Sequence, residues 1–402
     1  MSSSDSGFAS GTLQSILWER PTLHVLDQLV LPMEKKYIKV ETVQDTFDVI
    51  RNMNVRGAPL IAIVAALGLA SHLVVFANEN SGNDGSFDKV LDFSITGIKK
   101  LRLSRPTAVN LFEAMDILEQ LVESLKLDLN QSDKSEQEKV EAFVNEFVAK
   151  CEWMKDRDIA DNLSMGNLGS EYLISKHYKT NADQSGKFSV LTHCNTGSLA
   201  TAGYGTALGI IRSCYKANLG LDHVYCTETR PYNQGSRLTA FELDHDKIPY
   251  TLITDSMKTA PIKAIIVGAD RVCANGDVAN KIGTFQLSLI ANHYGIDFII
   301  AAPTTTIDLS LPSGSHIPIE SRSSSEILTA SGTLIENDSS SNRNNEKTPQ
   351  RVSVAVAPDS FNVWNPAFDV TPAKYITAIV TETCVFLKDP ATGEFDLSSC
   401  KK

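Results

Sequence analysis

In SVLTHCNTGSLATAGYGTALG, residues 189–209, an apolar segment runs into His193, Cys194 and Asn195 and then into a Thr-Gly-Ser turn. A thiol at such a change could act as a nucleophile or carry a proton. It could equally be a core thiol, since free cysteine is among the most buried residue types. Neighbouring strand residues point to opposite faces, so His193 is disfavoured as the base of a His193–Cys194 pair. Further on, AIIVGADRV places Asp270 at the end of a very apolar run. Burial raises a carboxyl pKa, so this aspartate could be held protonated as a general acid; a helix cap, or a carboxylate paired with Arg271, would read the same way.

Three other segments carry donors suited to a small anion. RGAPLIAIVAALGLA sets Arg56 before a Gly-Ala-Pro turn, with Pro59 suited to the first turn of a helix whose free N–H groups could hold phosphate; an ordinary helix start is the plainer alternative. TETRPYNQGSRLTAFEL offers Arg230, Asn233, Gln234 and Gly235, with Ser236 opening a helix. ANGDVANKIGT brings Asn280 and Lys281 shortly after Asp270, again just before a helix. GYGTALG, residues 203–209, has its glycines as GxGxxxG within an apparently helical stretch, whereas a dinucleotide turn needs GxGxxG between strand and helix. Close helix packing explains it better.

These groups need a scaffold. From Lys187 onward short apolar runs (FSVLTHC, HVYCTET, YTLITD, AIIVGAD, FIIAAP, VSVAVAP) alternate with helical segments, including LATAGYGTALGIIRSCYKA, SRLTAFELDHD and GTFQLSLIANHYG. That alternation predicts βαβ units and a mostly parallel sheet covered on both faces, with the ligand site at the carboxyl ends of the strands. Cys194, Thr227, Glu228, Asp255 and Asp270 would then share one rim. The first third reads as helical after a short β start, with Thr42 as a helix cap, a buried helix at 60–76, and polar connections at 78–88 and 128–139. The expected architecture is α/β: a smaller, mainly helical N-terminal domain over 1–155, then a Rossmann-like domain with a mostly parallel sheet over 156–402. The latter carries a mobile insertion near 313–350 that ends in a Ser/Asn-rich tract.

At 402 residues there is room for two domains. The formal charge of -11 argues against nonspecific binding to nucleic acid or anionic membrane. Seven cysteines without CxxC pairing suggest neither a zinc knuckle nor a disulfide framework, and point to a reducing compartment. The start lacks the basic and apolar regions of a signal peptide.

As an ordered set, RGAP (56–59), SRPTAVNL (104–111), THCNTGSLAT (192–201), ETRPYNQGSRLTAFEL (228–243), GADRV (268–272) and NGDVANKIGT (275–284) resemble the methylthioribose-1-phosphate isomerase family. The resemblance covers nearly the whole chain. That family is related to ribose-1,5-bisphosphate isomerases and to regulatory subunits of a translation initiation guanine-nucleotide exchange factor, which are the alternative readings. The resemblance implies conversion of 5-methylthioribose 1-phosphate to 5-methylthioribulose 1-phosphate in methionine salvage, with no metal or nucleotide cofactor. It puts catalytic roles on Cys194 and Asp270, and substrate contacts on Arg56, Gly57, Ala58, Arg105, Gln234, Asn280 and Lys281. It further implies a small sugar phosphate as partner, a homodimer, and a cytoplasmic location with nuclear presence. The additions around 128–139 and 322–350 would leave the site untouched.

Overall fold

The computed structural model describes residues 13–80, 86–105, 109–178, 186–257, 262–334 and 350–400. Strands β1 (Ile16–Glu19), β2 (Thr22–Leu26) and β3 (Tyr37–Val40) form a small antiparallel sheet that leads into helix α1 (Val43–Arg51). Thr42 caps α1 as the sequence suggested, its hydroxyl accepting from Asp45 N while the Asp45 carboxylate reaches back to Thr42 N. Helix α2 (Ala58–Glu79) is apolar on every side, which fits only a central position. It is long and apolar enough to cross a membrane by length and composition, yet 78% of that stretch is buried inside the protein. Around it pack α1, α3 (Ser86–Arg102), α4 (Val109–Asn130) and α5 (Glu136–Leu173). Leu60, Leu67, Leu69 and Leu73 of α2 are fully buried, each contributing about 1.5–3 kcal/mol.

The polar connection expected at 128–139 is shorter than its composition suggests. Helix α4 continues to Asn130, and a Ser135/Glu138 capping box starts α5 at Glu136, so only five residues intervene. Of the connection expected at 78–88, residues 81–85 lie outside the described residues, and α2 and α3 occupy its two ends. The 38-residue α5 joins the two halves: Val140–Cys151 enter the helical core, and Met165 and Leu173 enter the core beside the large sheet.

The remaining chain runs β4 (Phe188–Thr192), α6 (Ala207–Lys216), β5 (Leu221–Thr227), α7 (Ala240–His245), β6 (Tyr250–Ile253), β7 (Ala264–Gly268), β8 (Arg271–Cys273), β9 (Val278–Lys281), α8 (Thr284–Tyr294) and β10 (Asp297–Ala301). It then continues through β11 (Ile307–Asp308), α9 (Ser325–Leu328), β12 (Thr329–Thr333), β13 (Arg351–Ala355), β14 (Phe368–Thr371), β15 (Ala378–Val380) and β16 (Val385–Leu387). Seven strands form the main sheet in the order β16-β15-β10-β7-β4-β5-β6, parallel throughout except for β16. Residues of α5, α6 and α7 cover one face, and residues of α8 and the C-terminal segment the other. A mostly parallel α/β fold behind a helical N-terminal part is therefore what the chain adopts.

Two elements differ from the sequence reading. VSVAVAP does not join the parallel sheet: β13 pairs antiparallel with β12 in a separate ribbon, and the outer places go to β15 and β16. Helix α6 starts at Ala207, not near Leu199, because Gly205 has φ +87° and a Cβ there would meet the Gly197 Cα at 2.4 Å. Gly203 and Gly205 are thus loop residues, while Gly209 lies in α6 within 3.7 Å (from an added Cβ) of the Asn162 carbonyl on α5. The expected insertion at 313–350 begins as folded chain, with α9 and β12; residues 335–349 lie outside the described residues.

Candidate active site

From β4 the chain passes to β5 and β6 on one side, and from β7 to β10 and β15 on the other, so the strand order switches between β4 and β7. Ligands in open α/β sheets bind at such a point, outside the carboxyl ends of the strands. β4 and β7 are adjacent parallel strands with Thr192 opposite Ile266. Cys194 follows β4 by two residues and Asp270 follows β7 by two, so both leave neighbouring strand ends, about 4.8 Å apart, toward one cavity.

That cavity holds about 150 Å³ of free space, and all nine residues to which the family resemblance assigns roles line it: Arg56, Gly57, Ala58, Arg105, Cys194, Gln234, Asp270, Asn280 and Lys281. The helical part supplies Arg56–Ala58 at the head of α2 and Arg105 just beyond α3; the sheet part supplies the rest. Gly57 has φ +92°, and a Cβ there would lie 2.2 Å from the Ala200 carbonyl oxygen. A Gly57→Ala substitution is expected to push the head of α2 from the Cys194 turn and lower kcat/KM by about 100-fold, the scale of a 1 Å misplacement, with a reduced Tm; steady-state kinetics and a melt check both.

A hydrogen-bonded network supports Cys194 from behind. Cys194 itself has φ 67° and Thr229 has φ 62°, unusual for a β-branched residue. The Thr229 hydroxyl accepts from Cys194 N at 3.0 Å, while Asp255 accepts from the N–H groups of Thr229 and Arg230 at 2.8 and 2.7 Å. The Thr239 hydroxyl donates to the Cys194 carbonyl. His193 is buried, and burial pulls its pKa down to about 4, so its ring is neutral. Nε2 donates to the Ile282 carbonyl at 2.9 Å, which leaves Nδ1 to accept from Thr227 at 2.5 Å. Thus His193, Thr227 and Asp255 hold the turn; of the expected rim residues, only Cys194 and Asp270 face the cavity.

Asp270 is neither a helix cap nor the partner of Arg271. It precedes β8, Arg271 lies 3.5 Å from Asp308, and the Asp270 carboxyl makes no hydrogen bond or ion pair among the described residues. Burial pushes its pKa up to about 6 against the pull of Lys281, Arg105 and Arg56, with Glu320 adding to the rise. Burial likewise raises the Cys194 thiol, with Lys281 and Arg56 opposing. Lys281 is pulled down by burial; its ammonium donates to the Ala367 carbonyl at 3.0 Å and sits 4.9 Å from the Phe368 ring centroid. Burial brings Arg56 down to about 10, leaving it charged near neutrality.

The Arg56 guanidinium stacks 4.1 Å from the Tyr232 ring centroid. With the Gln234 amide oriented to satisfy its neighbours, Gln234 accepts from Arg56 Nη2 at 2.9 Å. Arg56 Nη1 and both polar atoms of the Asn195 side chain are buried without a partner among the described residues. Buried polar groups are nearly always bonded, so orphans along a cavity wall point to a ligand. Asn280 is fixed by Thr284 at 3.0 Å. The head of α8 is closed to anions, since Asp369 accepts from Gly283 N and Phe285 N; α2 has no side-chain cap, and Ala58 at its head lies in the cavity wall. Arg230 turns away, toward the carbonyls of Pro231 and Ile327.

Sequence reasoning missed Asn195, Thr196, Glu320 and Arg322, all in the wall. Asn195 stood beside Cys194 and could have been found. Arg322 corrects the expectation that the 322–350 addition leaves the site untouched. The base of that excursion is stitched closed, with Arg322 N donating to the Asn365 carbonyl and Ala367 N to the Glu320 carbonyl, both at 2.8 Å, and this brings Glu320 and Arg322 to the cavity. Arg322 bridges Glu320 at 3.1 Å and Glu326 at 2.5 Å, and Glu320 also faces Arg105 at 4.0 Å. Among the described residues no group of three or more His, Cys, Asp or Glu side chains could hold a metal ion.

Comparison with known proteins adds independent findings. The initiation factor 2 subunit family matches residues 54–387. A methylthioribose-1-phosphate isomerase of Schizosaccharomyces pombe is 47% identical over 390 residues, spanning 96% of this chain and 100% of that protein. One of Hordeum vulgare is 47% identical over 399 residues, spanning 97% and 98%. The crystal structure of 5-methylthioribose 1-phosphate isomerase from Pyrococcus horikoshii OT3 matches with TM-score 0.75 at 35% identity, over 93% of this chain and 92% of that one. That of translation initiation factor eIF-2B subunit delta from A. fulgidus matches with TM-score 0.72 at 32% identity, over 95% and 98%.

Proposed function

The chain belongs to the initiation factor 2 subunit family, and from its likeness to the isomerases matched above we infer that it is an aldose-ketose isomerase, converting 5-methylthioribose 1-phosphate to 5-methylthioribulose 1-phosphate. One observation carries the reading: relatives named for this activity match it over 96% and 97% of its length at 47% identity, and the cavity keeps an acid and a thiol on adjacent strand ends beside anion-binding groups. An exchange-factor subunit has no need of that pair. The reaction belongs to methionine salvage, where it consumes a thioether sugar phosphate.

The chemistry assigns the groups. A sugar phosphorylated at its anomeric carbon cannot open freely; the ring oxygen needs a proton as its bond to C1 breaks. Hydrogen then has to pass from C2 to C1, and the C2 hydroxyl loses its proton to become the ketone. In our reading neutral Asp270 gives the first proton and takes back the last, so the carboxyl is regenerated each turnover. Cys194, in the same enclosed wall, serves the C2-to-C1 transfer. Arg56, Arg105 and Lys281 hold the phosphate with the head of α2, Arg56 offering its unpartnered Nη1; Gln234 fixes Arg56, and Asn280 belongs to the sugar contacts.

A bound phosphate dianion offsets the cations that depress Asp270, so its pKa in the complex rises above about 6. The carboxyl works only when protonated, so kcat is expected to fall as pH rises through that higher value. The limb belongs to Asp270 if it is lost from the residual activity of Asp270→Asn, because the phosphate titration stays in both. The substrate is tested by turnover of 5-methylthioribose 1-phosphate against ribose 1,5-bisphosphate; equal or better use of the latter would overturn it. Assembly as a homodimer, to be checked by sedimentation, and a cytoplasmic and nuclear location are part of the same proposal. Seven unpaired cysteines support a reducing compartment.

A further inference from the structure

Asp270 stands in an excess of positive charge. Lys281 at the end of β9, Arg105 beyond α3 and Arg56 at the head of α2 all act on its carboxyl, and each favours the ionised form, which has no proton to give. Arg271, next in the chain, is engaged by Asp308 at 3.5 Å, and the Cys194 thiol, raised by burial, is uncharged. Glu320 acts in the opposite sense: it lines the main cavity with Asp270, and the two also share the wall of the adjoining cavity. We propose that Glu320 is a positioning residue for ring opening, whose fixed negative charge offsets the cations around Asp270 and keeps that carboxyl in its proton-donating form. The proposal rests on the isomerase reading above and deepens it.

A chain of polar contacts fixes that charge from outside the cavity. Asn365 Nδ2 donates to the Ser323 carbonyl at 2.9 Å and to Glu326 Oε2 at 3.3 Å, and the other oxygen of Glu326 takes Arg322 Nη2 at 2.5 Å. Arg322 Nη1 then reaches Glu320 Oε1 at 3.1 Å, which leaves Oε2 to face Arg105 Nη2 at 4.0 Å. Held between two guanidinium groups, Glu320 stays ionised. Asp270 has no such partner, so its protonation follows the field of its neighbours. The backbone beside this chain holds both sides of the balance. Ala367 N donates to the Glu320 carbonyl at 2.8 Å, and the Ala367 carbonyl accepts from Lys281 Nζ at 3.0 Å; Lys281 is the cation that draws most strongly on Asp270. Closing the excursion itself takes the backbone bonds at Glu320, Arg322, Asn365 and Ala367, and needs no carboxylate turned toward Arg105 and Asp270.

Glu320→Gln in the full-length protein keeps the shape and drops the charge. With the opposing charge gone, the cations pull the Asp270 carboxyl down, so the alkaline limb of kcat is expected to move to lower pH by roughly one unit. The ratio of the variant's kcat to that of wild type is then expected to fall about tenfold between the acid and the alkaline side of the limb. Misfolding lowers kcat by one factor at every pH and cannot move the limb. A second readout needs no substrate: infrared titration of the protein, with the Asp270 carboxyl band assigned by its loss in Asp270→Asn. Its midpoint, about 6 in wild type, is expected to fall in Glu320→Gln by a similar amount. A limb or a midpoint that stays in place, or moves to higher pH, would overturn the role of Glu320. A midpoint that falls in protein whose wild type turns over no 5-methylthioribose 1-phosphate would overturn the isomerase reading and leave the coupling of the two carboxyl groups standing.

Discussion

Asp270→Asn is expected to lower kcat by about 1,000-fold, within the range for loss of a positioned general acid, and Cys194→Ser by a comparable factor. The asparagine matches the carboxyl in size but has no acidic proton for the ring oxygen. Because both residues leave adjacent strand ends, the two losses should not multiply: a group that cannot open the ring makes the transfer step idle, and the double variant should resemble the worse single one. Stopped assays with purified substrate, and a melting curve for each variant, separate chemistry from folding. Near-normal kcat in folded protein would remove the assigned roles.

A second large effect lies beneath the turn that follows Cys194. Arg212 is 1% exposed and Glu242 0%, and their side chains meet at 2.7 Å; Arg212 also pairs with Asp246 at 2.6 Å. Glu242 accepts from Ser198 N, Ser198 Oγ and Leu199 N at 2.8, 2.7 and 3.1 Å, so one carboxylate carries both the buried arginine and the Ser198–Leu199 backbone. Gly197 is required there, since a Cβ would lie 2.3 Å from the Glu242 carboxylate. Glu242→Gln removes one partner of a buried charge and is expected to cost about 3–5 kcal/mol, read as a lower urea midpoint. Double replacement by Arg212→Met and Glu242→Leu should cost less than the sum of the two singles, because neither member of the 2.7 Å pair is then left to face a missing partner; the loss of Arg212 by Asp246 is common to the Arg212→Met single and the double variant. Additive losses would show that the pair is not coupled.

Much of this molecule could be read from its chain because local physics and tertiary structure agree. Apolar runs ending in a polar residue gave β4 and β7 and, at their ends, Cys194 and Asp270. Thr42 and Pro59 marked helix starts by their own chemistry, and the unbroken apolar stretch after Pro59 required a central helix. Other features depended on distant partners. Arg105 has no local signal; it follows α3 at an ordinary polar end, and only its place in a recognised motif singled it out. VSVAV alternates as a strand should, but nothing in it says that its partner is Thr329–Thr333 and not the main sheet. Ala378–Val380 is too short to stand out, and its place is set by its neighbours, β10 in parallel and β16 antiparallel. Small residues before Ala207 read as helix until Gly197 and Gly205 come into contact across the turn, which no window of sequence reveals. Glu320 and Arg322 sit at the mouth of a polar excursion, and only its closure against Asn365 and Ala367 turns them inward.

That closure extends outward along β12 and β13. Leu334 N donates to the Gln350 carbonyl at 2.9 Å, so the chain departs from and returns to a single rung of the ribbon. Lengthening a segment whose ends are already fastened together raises its closure cost only slowly, by about 0.6 kcal/mol per doubling. Lengthening the connection between Leu334 and Gln350, with an affinity epitope or a fluorescent reporter, is therefore expected to cost the fold little.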